Sequence, residues 1–217
     1  MDDESLEQLF AAGLVRSPFE RIAAVAEQAA RAALAKEGPA AAVLRAAEVG
    51  AAAAGQIAEA RVKAGQHDPA PACARGCTHC CWLRVEITSA EAALLATALP
   101  EGDPRRERVA ARAADVGKLG RDERLRKRVP CALLGDDGAC SVYAARPLAC
   151  RAATSLDAGA CARALESGDA SGELPIEPWG FASTRAAYVG LRRALAAAGQ
   201  PAECEELHQA LARALHG

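Results

Sequence analysis

Apolar residues such as Ile22, Val25 and Ala29 recur at helical spacing, and the stretch from Ser17 to Ala64 reads as two Ala-rich helices parted at Gly38-Pro39. Ser17-Pro18 followed by Glu20 supplies the residue types of a capped helix start. Gly65 to Ala72, punctuated by two prolines, is a loop. The alternation in WLRVEI predicts a short extended segment, and Thr88 with Glu91 three residues later forms a capping-box signal for a helix through Leu99. Pro100 to Pro104 breaks the chain before a charged helix over Arg105 to Arg128. Next, CALLGDDGACSVY reads as a small hairpin around Asp136, Asp137 and Gly138, in which the two Asp residues are turn formers and Cys131 approaches Cys140. A helix near Asp157 to Glu166, a loop SGDASGELPIEPWG, and helices over Ser183 to Ala198 and Ala202 to Leu215 complete the chain, with no internal repeat.

These elements predict a mainly α fold: Ala-rich helices around a cysteine-rich metal-binding core, with short extended segments or a small hairpin. Within 217 residues, the length expected of one domain, we read N-terminal helices over 1–66, a cysteine core over 67–166 and C-terminal helices over 180–217. Hydrophobic residues make up 51% of the chain but aromatics only 3%, which suits closely packed helices of small residues. A net charge of −2 gives no reason to expect nucleic acid or an anionic membrane as partner. The acidic start MDDESLEQLF lacks the basic and apolar stretches of a secretory signal, and Arg45, Glu48 and Glu59 flank the Ala-rich run near Ala51. The expectation is therefore a cytoplasmic protein.

Chemistry enters with cysteine. Eight of nine cysteines fall in two clusters, Cys73, Cys77, Cys80 and Cys81, then Cys131, Cys140, Cys150 and Cys161. Core packing gives no reason for thiols to recur at short gaps, and in a reducing cytosol such density points to metal rather than disulfides. Soft thiolates favour zinc, copper(I) or iron–sulfur clusters and exclude calcium and magnesium as principal tenants. Adjacent side chains diverge, so Cys80 and Cys81 rarely serve one tetrahedral ion. The pair splits between two centres, or one sulfur ligates while the other is a redox or supporting thiol; two four-sulfur centres would use all eight.

The spacing C-x3-C-x2-C at Cys73, Cys77 and Cys80 departs from the paired C-x2-C pattern of zinc ribbons. It is similar to the three-cysteine motif of radical S-adenosylmethionine enzymes, but the βα alternation of their barrels is missing here. A broader match runs through CARGCTHCCW, VEITSAEA, PCALLGDDGACSVYAARPLACR and SLDAGAC. These segments, in this order, resemble the YkgJ-type cysteine-cluster family, whose signature is CxxCxxCC. The resemblance implies a zinc- or iron-chelating domain with Cys73, Cys77, Cys80, Cys81, Cys131, Cys140, Cys150 and Cys161 as its metal set. The first gap holds three residues, Ala74, Arg75 and Gly76, where the signature has two, which makes Cys73 the least secure ligand.

Cys204 is left over and reads as a half-buried helix residue. His79 is a candidate for ligation or for tuning a cluster, with packing as the plainer reading, while His67, His208 and His216 read as surface residues. Arg75, Arg84, Arg146 and Arg151 lie near candidate ligands, where they offset thiolate charge or serve as surface residues. The run RDERLRKR from Arg121 reads as a solvated helix face, because acids interrupt it and no stacking aromatics are interleaved. The functional expectation is a protein that holds an iron–sulfur cluster, slightly ahead of zinc, for electron transfer or metal handling with a redox or protein partner. A structural zinc module that mediates protein–protein interaction and an iron–sulfur-dependent enzyme are the alternatives. No nucleotide loop, nucleophile elbow or paired catalytic carboxylates appear.

Overall fold

The first corner of the chain is set by Gly38, whose φ of 94° suits glycine, and by Pro39 in the first turn of the helix that follows. In the computed structural model, which describes residues 18–74, 76–168 and 174–216, this corner joins α1 (Pro18–Lys36) to α2 (Pro39–Lys63). A short 3-10 turn over His79–Trp82 and strand β1 (Glu86–Ile87) precede α3 (Ser89–Thr97), α4 (Arg105–Val116) and α5 (Arg121–Arg126). A second 3-10 turn over Tyr143–Ala145 leads into α6 (Leu148–Ala152), then come α7 (Ala158–Ser167), α8 (Pro178–Ala197), β2 (Glu205–Glu206) and α9 (Leu207–His216). The architecture is mainly helical. No helix among the described residues is long and apolar enough to cross a membrane.

The helix starts follow local chemistry. Thr88 and Glu91 make the full capping box of α3: the Glu91 amide donates to Thr88 Oγ1 at 3.3 Å and the Thr88 amide to Glu91 Oε2 at 2.8 Å. Asp157 caps α7, accepting from the Ala160 amide at 3.1 Å. Ser17 and the acidic N-terminal residues lie outside the described residues, as do residues 169–173 of the loop before α8.

Three boundaries differ from the sequence reading. The helix expected over Arg105 to Arg128 is two helices, because the chain turns between Gly117 and Gly120. Gly117 ends α4 and Gly120 precedes α5, and glycine is a poor helix former at both positions. Helix α8 begins at Pro178 rather than Ser183, since Pro fits the first turn and the Glu177 carboxylate accepts from the Trp179 and Gly180 amides. The helix expected from Ala202 begins at Leu207, because Glu205 and Glu206 pair antiparallel with Ile87 and Glu86.

Helices α1, α2 and α8 pack as a brace of small residues. Ala23, Ala26, Ala30 and Ala33 of α1, Ala42, Val43 and Ala46 of α2, and Ala187, Leu191 and Ala194 of α8 are all buried. Small side chains let the backbones approach closely and keep dispersion contacts dense despite few aromatics. Helix α9 packs on α3 and α4, α6 on α8, and α2 on α3, so the middle of the chain lies against helices from both ends.

Gly190 marks a close approach, as a Cβ there would collide with the Ala23 carbonyl oxygen and stand 2.7 Å from the Glu27 amide nitrogen, both backbone atoms of α1. Although Ala is the better helix former, Gly190→Ala is expected to destabilise by about 1–3 kcal/mol through overpacking. Gly55, exposed in α2 with open space around its Cα, is the control, and Gly55→Ala should stabilise by about 0.5–1 kcal/mol. Urea unfolding of the two variants checks both signs.

Candidate metal centre

All nine cysteines are free thiols, each half-buried, and eight of them gather where four backbone segments meet. The first segment turns at Gly76, whose φ of 90° reverses the chain before Cys77. Cys73 is held from outside its segment: the Ala72 amide donates to the Ser155 carbonyl at 2.7 Å and the Ser155 amide to Cys73 Sγ at 3.2 Å. Cys80 and Cys81 lie on the His79–Trp82 turn, with the Cys81 amide bonded to the Thr78 carbonyl at 2.8 Å.

Cys131 meets this turn through its amide, which donates to the Cys81 carbonyl at 2.8 Å. The expected hairpin brings Cys140 back to Cys131. Leu134 and Cys140 form an antiparallel bridge, Gly138 takes a φ of 70°, and Asp137 Oδ1 accepts the Ala139 amide at 3.0 Å. The sequence reading gave no helix around Cys150, yet it lies on α6, whose entry Pro147 sets. The Leu148 amide, bare at this helix start, donates to Glu91 Oε1 at 2.9 Å. Cys161 projects from α7, which packs on the His79–Trp82 turn.

The eight thiols fall into two neighbourhoods that meet at Cys80, which bonds Cys81 and lies near Cys150. Cys73, Cys77, Cys80 and Cys161 line a cavity of about 50 Å³ together with His79 and apolar Leu83, Leu125, Leu165 and Ile176. Burial pushes the Cys77 thiol up, the His79 backbone N–H draws it down, and Cys73, Cys80 and Cys161 raise it further. Cys81 is raised by its hydrogen bond to Cys80, then by burial and by the nearness of Cys131 and Cys150. Burial lifts Cys131 to about 11, with Cys140 adding to it, and lifts Cys150 well above the usual range, with Cys131, Cys80 and Cys140 adding to it. Among the described residues, no three His, Cys, Asp or Glu side chains already stand as a closed ligand set.

Cys80 differs from its neighbours. The hydrogen bond from Cys81 lowers it to about 7 against the cost of burial, and the Arg146 charge favours its thiolate. Arg146 is itself fixed, stacked 3.6 Å over the Tyr143 ring while Arg151 Nε donates to its carbonyl at 2.8 Å. Arg84 bonds the Leu119 carbonyl at 3.0 Å and serves the fold, and Arg75 lies outside the described residues.

The donor set fits a soft metal on two observations. Thiols are concentrated against apolar walls, and His79 Nδ1 is buried at that cavity without a hydrogen-bond partner. An orphaned ring nitrogen in a thiol-lined pocket is what a bound anionic centre would satisfy.

Three polar residues are buried, two of which, Arg124 and His208, the sequence presented as surface. Arg124 is 2% exposed, His208 1% and Glu206 0%. Arg124 Nη1 donates to Glu206 Oε1 at 2.9 Å, and His208 Nδ1 pairs with the same oxygen at 2.8 Å. The readings of RDERLRKR as a solvated face and of His208 as a surface residue are thus corrected. Arg126, Lys127 and Arg128 of that run are exposed, but Arg124 turns inward on the face of α5 that also carries buried Leu125. Cys204 stands apart from the other thiols, 2.7 Å from the Tyr188 hydroxyl, in the segment before β2 rather than on a helix.

Residues 72–167 match the family model CxxCxxCC, described as "Putative zinc- or iron-chelating domain". No curated protein and no solved structure matches the chain.

Glu91 carries both a helix cap and the start of the Cys150 helix, and it is 1% exposed. Glu91→Ala leaves the Thr88 and Leu148 amides without their acceptor and is expected to destabilise the chain by about 2–4 kcal/mol. Glu91→Gln, which keeps a carbonyl oxygen, should recover at least half of that loss, as measured by chemical denaturation.

Proposed function

Since residues 72–167 match the model of the CxxCxxCC family, we propose that the chain is a metal-thiolate protein with two four-cysteine centres. Cys73, Cys77, Cys80 and Cys161 would hold the first, and Cys81, Cys131, Cys140 and Cys150 the second. The division of the thiols into two neighbourhoods is the observation that carries this reading. The adjacent pair would contribute one sulfur to each centre, so that the Cys80–Cys81 contact is where the two centres meet.

Within a single domain acting in a reducing cytoplasm, iron–sulfur is favoured over zinc, because the first-cluster spacing is not that of a zinc ribbon. When bound, an iron–sulfur centre would supply reversible one-electron transfer. The chain's own residues do the rest. Leu83, Leu125, Leu165 and Ile176 exclude water from the first centre, and His79 Nδ1–H would donate a hydrogen bond to it. Arg146 offsets charge at Cys80 and Arg124 offsets charge at Cys131. Such a protein would pass electrons to, or supply metal to, a protein partner.

The test is iron, zinc and acid-labile sulfide per chain after purification without oxygen. Cys77→Ser and Cys161→Ser should each lose about half the metal, as should Cys131→Ser and Cys150→Ser. Combining Cys77→Ser with Cys161→Ser should lose no more than either alone, whereas Cys77→Ser with Cys150→Ser should lose nearly all, and Cys204→Ser none. Full retention in the four single variants would sink the ligand set, and total loss in each would sink the partition. Zinc without sulfide would replace the electron-transfer role by a structural zinc module that binds other proteins.

A further inference from the structure

The segment that carries Cys131 is pinned at four backbone points. Arg124 Nε donates to the Val129 carbonyl at 3.2 Å, the Cys131 amide donates to Cys81, the Cys131 carbonyl accepts from the Leu134 amide at 3.1 Å, and the Ala132 amide donates to His208 Nε2 at 3.1 Å. The first and last of these contacts come from the buried Arg124–Glu206–His208 network, so that network grips the chain on either side of Cys131. Because the Ala132 amide occupies Nε2, the ring proton sits on Nδ1, where it donates to Glu206. Glu206 in turn belongs to the C-terminal part: its Oε2 accepts the His208 and Gln209 amides at 2.7 and 3.2 Å, capping α9, while its backbone pairs with Glu86.

Burying a guanidinium, a carboxylate and an imidazole costs more than an apolar contact of similar volume returns. A network of this kind is explained by what it fixes. We propose that Arg124, Glu206 and His208 are positioning residues for the second thiolate centre, holding the Val129–Ala132 backbone so that Cys131 faces Cys81, Cys140 and Cys150, and thereby coupling the docking of α9 to occupancy of that centre. The inference rests on the two-centre reading above. It adds two residues outside the matched segment, since Glu206 and His208 lie beyond residue 167. Coupling is reciprocal: if docked α9 strengthens the centre, the filled centre must tighten α9 by the same factor.

Hydrogen exchange on the full chain tests this without altering the network. Amide exchange at residues 208–214 is compared between the zinc(II)-loaded chain and the same chain stripped by a chelator, with bound zinc measured in each sample. Zinc should slow exchange there about tenfold. Cys161→Ser, which removes only the first centre, should keep this slowing, and Cys131→Ser should abolish it.

A second arm follows the chelator-driven release of zinc. His208→Leu should speed release from the second centre about 10–100-fold and leave release from the first unchanged. His208→Gln, which retains an acceptor for the Ala132 amide, should restore most of the slow release. Zinc that binds without changing α9 exchange, or a Cys131→Ser variant that keeps the full slowing, overturns the coupling while the two-centre reading stands. Equal acceleration of both release phases in His208→Leu also overturns it. Where the purified chain holds iron and sulfide rather than zinc, the same exchange comparison is made on that form and its apo chain; a chain that takes up neither zinc nor iron with sulfide removes the two-centre reading itself and the coupling with it.

Discussion

The hydrogen bond from the Cys131 amide to the Cys81 carbonyl joins the two cysteine segments, and the site depends on that junction. On one side of it the His79–Trp82 turn presents two consecutive thiols; on the other a tight hairpin returns Cys140 beside Cys131. A loop-to-loop bond of this kind contributes only about 1 kcal/mol by itself. It holds because each partner is braced elsewhere. Helix α7 packs on the 3-10 turn, Glu91 anchors the helix of Cys150, and the Arg124 network clamps the backbone around Cys131.

That bracing explains a scaffold so poor in large side chains. Alanine and glycine faces allow α1, α2 and α8 to approach until backbone meets backbone at Gly190, which leaves little room for one helix to slide on another. The helical brace then behaves as a rigid wall, with α6 packed on α8 and carrying Cys150. The larger aliphatic residues, among them Leu95, Leu99, Leu148 and Leu211, lie between this wall and the helices α3 and α9. Rigidity comes from close approach and hydrophobic stabilisation from the leucines.

Much of this was legible in the sequence because its causes are local. The Thr88–Glu91 box, the Asp157 cap, the Gly38-Pro39 corner and the Asp137-Gly138 turn each act within a few residues, so residue type announces them. The cysteines were legible for a different reason: their density has no structural substitute. The buried network was not legible. Arg124 sits in a charged run and His208 in an amphipathic helix, and their partners are distant in the chain, with Glu206 reached across 82 positions. Local pattern places such residues in solvent, and only the pairing of β1 with β2 and the docking of α9 bring them together. The break between α4 and α5, by contrast, had a local signal, since Gly117 ends one helix and Gly120 precedes the next.

Charge connects the network to the thiols. Four thiolates around a divalent ion carry a net charge of about −2, and in an apolar setting that excess is costly unless cations or N–H dipoles face it. The whole chain is acidic, at −2, so the compensation has to be local. Arg146 faces Cys80 and Arg124 faces Cys131, one guanidinium for each neighbourhood. Both are held in place: Arg146 is stacked on Tyr143 with Arg151 bonded to its carbonyl, and Arg124 is tied to Glu206 and Val129. A lysine would supply the charge without the planar stacking and the paired contacts. The two arginines thus differ in what fixes them from Arg108 of α4 and Arg126 of α5, which are exposed, and under the two-centre proposal their charges would offset the thiolates.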